Sequence, residues 1–294
     1  MTGSTLPATD AHVDLRLLNG GSMVANAKTI HHEIDRDQIF RLYDWCFYIY
    51  QPDLKRHVLW DVGTEEDCEQ KLEPGCTDPS VGHKFDPRFF DRKVSTEKWS
   101  ELKGPWVPFG PFEKAMDFFG NGSLWVIQAP GHMQGNLCAA ARLADGEWVV
   151  LGSDCAHTKS VFPFSLPLLD PLTTTRKRKE EGRKTTRGGE RNHTYADNVH
   201  RHHRPLLDGK YDIAEMTRPD GSKWSLHEDV CAAKDTIAKI RSMEVEYGCR
   251  VALAHDASWM LQNNEKDRDP VLFGLLGDDF DEHVRGRVAR DEPF

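Results

Sequence analysis

The sequence predicts a mixed α/β fold, and three observations carry that expectation. Short apolar runs of strand length end at turn residues, two hairpins close around Asn-Gly and Asp-Gly, and one amphipathic helix follows late in the chain. At 294 residues with 38% hydrophobic content, the chain can bury a core without staples. Internal repeats are not evident, and a single domain over residues 1–294 is expected.

The elements follow in order. "VDLRLLNGG" alternates and reads as a strand ending at a Gly-Gly turn; "WCFYIYQPD" is an aromatic strand stopped by Pro52-Asp53. "RHVLWDVG" is a third strand, joined to the second by a hairpin between Tyr50 and His57, and "TEEDCEQKLEPG" reads as a short acidic helix. Residues 74–110, rich in Pro, Asp and aromatics, read as loop, which is long for a compact domain. "DFFGNGSLWVIQAPG" and "NLCAAARLADGEWVVLGSD" read as hairpins around Asn121-Gly122 and Asp145-Gly146. In the helix beyond, Ser225 and Glu228 form a capping box, Val230, Ala233, Ile237 and Ile240 share one face, and Gly248 is the stop. "CRVALAHDA" is then a buried strand.

Composition removes some functions. A net charge of −9 disfavours nucleic acid, which needs a basic footprint. No apolar run approaches the ~20 residues that span a bilayer, and the first residues lack a signal-peptide pattern, so neither membrane nor secretion is expected. The seven cysteines form no C-x-x-C pair, and several sit in apolar runs as small core residues. A cytoplasmic protein is expected. Residues 173–204 change composition abruptly, with eight Arg or Lys against three Glu between Arg176 and Arg191, and read as a solvated basic surface insertion.

Three residues share one grammar: His132 in "APGHMQGN", Asp154 in "GSDCAHT" and His255 in "ALAHDA" each follow an apolar strand directly. Imidazole and carboxylate converging at a sheet edge suit zinc, and a carboxylate can bridge two ions. Individually, each has a plainer role as a boundary or turn-capping residue. No G-x-S-x-G, P-loop or G-x-G-x-x-G is present, and "GDDFDEH" lacks calcium-loop spacing. Cys155 lies beside Asp154, where burial next to a carboxylate works against a reactive thiolate.

In this order, "LWDVGT", "APGHMQGN", "GSDCAHT" and "ALAHDA" resemble the successive motifs of the metallo-β-lactamase-fold hydrolases, in the N-acyl homoserine lactonase-like branch. The early "LLNGGSM" is similar to the branch's opening strand-turn. The resemblance covers most of residues 13–160 and 225–260, leaving 74–110 and 173–224 outside. It implies a four-layer αββα sandwich with up to two zinc ions at one edge. His132 would serve the first metal, Asp154 would bridge, His255 would serve the second, and Asp61 would buttress the site. His157 gains no assured role from it. The implied reaction is attack of metal-bound hydroxide on a small lactone, ester or thioester.

One departure matters. The family's H-x-H-x-D-H belongs between Asp61 and His132, and that interval holds one histidine, His83, with Asp86 three residues on. The chain's H-x-H, at His200 to His203, stands in the wrong order. His132, Asp154 and His255 alone leave each ion short of the three or four protein ligands of a zinc site. Three explanations remain open: a degenerate member that binds a small molecule without hydrolysing it, an incomplete gene product, or an altered mononuclear site.

Overall fold

The computed structural model describes residues 6–30, 39–61, 98, 100–162, 212–256 and 270–276. His83, Asp86, the acidic helix after Thr64, the basic insertion and the 200–203 histidines lie outside them.

Strand β1 (Asp14–Asn26) pairs antiparallel with β2 (Ile39–Gln51), and β2 with β3 (Arg56–Trp60), forming a three-stranded sheet. A short helical turn, α1 (Ala27–Ile30), follows β1. The Gly-Gly expected to end β1 lies inside it. Register shifts between Asn19 and Ser22, and Gly21, at φ +112°, donates its N–H to Asn19 Oδ1, so the glycines make a bulge. The β2–β3 hairpin stands where the sequence placed it.

A second, six-stranded sheet runs β11-β8-β7-β6-β5-β4. Its members are β4 (Val107–Phe109), β5 (Phe112–Asp117), β6 (Leu124–Gln128), β7 (Leu137–Arg142), β8 (Trp148–Leu151) and β11 (Arg250–Ala252). Both expected hairpins form, with Gly122 and Gly146 at φ +83° and +89°. The stretch read as loop to residue 110 contributes β4, whose Val107 and Phe109 pair with Ala115 and Phe112. Two residues on either side of a tight Gly110 turn give too little alternation to show in sequence. A minor ribbon joins β9 (Met216–Thr217) to β10 (Lys223–Trp224).

The two sheets pack face to face. Leu15, Leu17, Tyr43, Trp45, Phe47 and Ile49 from one meet Leu124, Ala139, Ala141, Val149 and Leu151 from the other. The other face of the larger sheet carries Ile127, Cys138, Ala140 and Val150, covered by helix α2 (Val230–Val245) through Ala233, Ile237, Ile240 and Met243. Each large side chain buried this way contributes roughly 1.5–3 kcal/mol. A short helix, α3 (Pro270–Gly274), adds Leu272 to the inter-sheet core.

Three layers of the expected sandwich are therefore present among the described residues: sheet, sheet, helix. Its fourth, over the outer face of the small sheet, is not among them, and that face exposes Leu18 and Leu59. The α2 cap also differs from expectation. Asp229 is the N-cap and accepts from the Ala232 N–H at 2.9 Å, while Ser225 Oγ accepts from the His227 N–H. An aspartate at that position satisfies the first-turn donors without the Ser225–Glu228 box.

Candidate metal centre

Strands β6, β8 and β11 run in one direction, because β7 is antiparallel to both β6 and β8 and β11 is parallel to β8. Their C-terminal ends lie at one edge of the sheet, and His132, Asp154 and His255 follow those ends. The sequence grammar is met in space.

Each loop is fixed locally. After β6, Asn136 Nδ2 donates to Ala129 O and the Ala129 N–H to Asn136 O, closing the turn that carries His132. After β8, the chain enters a 3-10 turn, Ser153–Cys155, with Ser153 at φ +47°. After β11, Ala254 O accepts from the Trp45 N–H at 2.8 Å, and Asp256 O accepts from Trp45 Nε1. Asp256 Oδ2 in turn accepts from the Lys159 N–H, tying the β11 loop to the β8 loop.

Two further histidines stand beside these residues. His157, just past the 3-10 turn, and His227, two residues before the α2 N-cap, are both buried. His132, His157 and His227 each offer a ring nitrogen, and these atoms lie within 4.8 Å of one another; Asp154, His157 and His255 form a second such group. Backbone hydrogen bonds hold His227 against the His132 turn. The Glu228 N–H donates to His132 O at 2.9 Å and the Asp229 N–H to Gly131 O at 3.0 Å. Glu228 Oε2 accepts from the Gln134 N–H, and Thr236 Oγ1 donates to Pro130 O. Gly131, at φ +133°, permits the approach: a Cβ there would stand 2.3 Å from the Ala233 backbone.

The electrostatics divide the cluster. Burial holds His132 and His227 below the usual imidazole range, His227 to about 4, and takes His157 well below it, with the neighbouring charge of His255 adding to the effect. These three are neutral near pH 7. His132 Nδ1 and His227 Nδ1 are buried without a hydrogen-bond partner.

His255 behaves oppositely. Its Nε2 lies 2.8 Å from Asp154 Oδ1, and its Nδ1 lies 2.7 Å from Asp44 Oδ1 and 3.1 Å from Tyr43 O. Burial disfavours its charge, but the two carboxylates outweigh burial and hold His255 well above the usual range. Asp154 is kept ionised, because the charge and hydrogen bond of His255 overcome its own desolvation.

Asp61, directly after β3, stands at φ +53° with Oδ2 buried and unpartnered. Burial pushes it to about 7, the Asp154 and Asp44 charges adding to the rise, while a hydrogen bond from Ser153 and the His255 charge oppose it. Trp60 Nε1 donates to Ser153 Oγ at 2.9 Å, fixing that hydroxyl. Cys155 is fully buried, and a hydrogen bond with Cys138 together with desolvation keeps it a thiol, so it is no nucleophile.

The structure brings His132, Asp154 and His255 together with His157, which the sequence left without a role, and with His227 and Asp44, which it did not single out. "SLHE" carries a histidine beside a helix start, but its capping look hid it. Asp44 lies within "YDWCFYIY", where nothing local announces a site.

The donor set, three neutral imidazoles, an ionised carboxylate and orphaned buried ring nitrogens, fits a borderline-soft divalent ion such as zinc. Each orphaned polar atom costs about 1–3 kcal/mol until something occupies it.

Comparison with known proteins points the same way. No family model matches the chain. It is 31% identical over 158 residues to a metallo-hydrolase of Annulohypoxylon moriforme, over 52% of this chain and 36% of that protein. It is 35% identical over 101 residues to a gamma-lactamase of Gibberella moniliformis, over 29% of this chain and 42% of that protein. The chain thus spans less than half the length of either curated relative. A quorum-quenching N-acyl homoserine lactone lactonase aligns over 87% of this chain and 95% of its own, at 11% identity and a TM-score of 0.43. An N-acyl homoserine lactone hydrolase aligns over 85% and 95%, at 10% and 0.44. Over the aligned segments the chain is thus similar to a metallo-hydrolase and to a gamma-lactamase.

Proposed function

We propose that this chain is a zinc-dependent hydrolase of a small lactone, ester or thioester, with lactams as a related class. The observation that carries the reading is the convergence of four histidines and Asp154, within ligand reach, at the ends of three codirectional strands. The printed names of the two curated relatives, a metallo-hydrolase and a gamma-lactamase, support it. In this reading His132, Asp154 and His255 are the ligand positions that the motif order supplies, and Asp61 is the buttress.

A bound divalent ion would polarise the scissile carbonyl and lower the pKa of water to ~7. His132, His157 and His227 present neutral nitrogens at pH 7, so no proton must leave before they bind. Asp154 keeps its negative charge beside them. Without a metal, His255 sets Nε2 against Asp154 Oδ1 and Nδ1 against Asp44, which fixes its ring; to serve as a ligand it would give up the Nε2 proton. Asp61, poised near neutrality, can hold or release a proton at Oδ2. A small-molecule partner would reach the centre from the loop edge, and neither nucleic acid nor membrane is proposed as a partner. Among the described residues no helix is long and apolar enough to cross a membrane. The described cysteines are all free.

A second reading, a small-molecule binder without catalysis, draws on His255, whose nitrogens are both engaged. Metal analysis of the purified full chain tests the first. Zinc at one or two per chain, lost in the His132→Ala/His255→Ala double variant, with turnover on a lactone and ester panel, is expected. A chain that takes up no zinc on dialysis sinks the hydrolase, and zinc without turnover selects the binder.

A further inference from the structure

We infer that His132, His157 and His227 together hold one divalent transition-metal ion, with the fourth coordination position open. This rests on reading the site as a metal centre, and it names the ligands for that centre. Neither His157 nor His227 belongs to the expected set, and none of the three comes from the interval where H-x-H-x-D-H would lie.

Ring geometry is the first argument. Around a tetrahedral ion with metal–nitrogen bonds of ~2.0–2.1 Å, three imidazole centroids fall roughly 5 Å apart. Here the separations are 5.3 Å for His132–His157, 5.2 Å for His132–His227 and 5.4 Å for His157–His227. The three pairs are edge-on, with interplanar angles of 63°, 83° and 77°. Three rings disposed about a common centre, each edge toward it, give that pattern.

The competing group, Asp154, His157 and His255, fits less well. His255 has Nε2 against Asp154 and Nδ1 against Asp44 and Tyr43 O, so neither ring nitrogen faces open space. The His157 and His255 rings lie 6° from parallel. Two imidazole planes that both contain the same ion can be parallel only if they coincide, a demand the edge-on trio does not face. Because a neutral imidazole gives one nitrogen to one ion, His157 must choose, and the trio has the better claim.

Two independent observations support the choice. His132 Nδ1 and His227 Nδ1 are buried and unpartnered, whereas the other group is already satisfied internally. The trio is also held by the backbone, since Gly131 O and His132 O accept from the two amides that follow His227. Three protein ligands with one open position is the pattern of catalytic rather than structural zinc. Asp154 lies beside the trio, its carboxylate oxygen within 4.8 Å of the His157 ligand nitrogen.

Cobalt(II) substitution of the full chain tests the assignment. Wild type should bind one cobalt with the visible spectrum of a tetrahedral nitrogen-rich site. His227→Cys should keep cobalt and gain a thiolate-to-cobalt charge-transfer band in the near ultraviolet, and His157→Cys should do the same. His227→Ala should weaken zinc affinity by at least about 100-fold, judged against the 10–100-fold typical of outer-shell losses. His255→Ala should retain one cobalt. If wild type binds cobalt but both cysteine variants lack the band and His227→Ala binds zinc as tightly, the trio is wrong while the metal reading stands. If wild type binds neither ion, both fall.

Discussion

The two sides of the centre differ in how they treat burial. On one, His132, His157 and His227 are neutral, and the Nδ1 atoms of His132 and His227 are buried with no protein partner. On the other, Asp44, His255 and Asp154 form a chain of contacts at 2.7 and 2.8 Å in which each charge faces its opposite. The charged side pairs its one imidazolium between two carboxylates of its own. A cluster of buried, unpartnered imidazoles is finished only by something added. The difference separates what the fold needs for itself from what it holds ready.

Three substitutions bear on that contrast. The largest effect is expected from Gly131→Ala, because its Cβ would stand 2.3 Å from the Ala233 backbone at a φ of +133°. A loss of about 4 kcal/mol or more in denaturant titration is expected, together with weakened zinc binding. A variant within about 1 kcal/mol of wild type would mean that the turn and α2 are not locked together. Next is Asp44→Asn on the charged side. It leaves His255 buried with half its counter-charge, at a cost of about 3 kcal/mol by the same titration. The trio should still bind one cobalt, and loss of the ion would show that the two sides are not separable.

The smallest effect is a difference between two chains across pH. Folded His227 titrates at about 4, against a reference of 6.5. Between those values the unfolded chain takes up a proton that the folded one refuses. The stability associated with neutral His227 is therefore present above pH 6.5 and lost as pH falls toward 4. Metal-free wild type should lose on the order of 3 kcal/mol more than His227→Asn across that window. Asp61 acts in the opposite sense, since its raised pKa of about 7 gives stability that is lost as pH rises toward neutrality. It does so in both chains and cancels in the comparison. Parallel pH profiles for the two would contradict a buried neutral His227.

Most of the sheet framework was legible because its signals are local. Asn121-Gly122 and Asp145-Gly146 announce their turns through the left-handed backbone that glycine permits, and both hairpins formed there. His132, Asp154 and His255 were legible for a related reason, since the ends of codirectional strands must lie at one edge. The Gly-Gly bulge misled because a glycine pair signals a turn and a bulge alike. His227 and Asp44 were not legible. One joins the site through hydrogen bonds between segments almost a hundred residues apart, and the other through a strand of the opposite sheet. Neither spacing nor periodicity encodes such meetings.

The seating of α2 on the His132 turn has one more consequence. A slip of one residue along the helix would carry it ~1.5 Å and rotate it ~100°. The Gly131 and His132 carbonyls, the Gln134 amide and the Pro130 carbonyl would lose their partners together. The helix therefore has a single indexed seat and no sliding scale, so His227 meets its two companion rings in register or not at all.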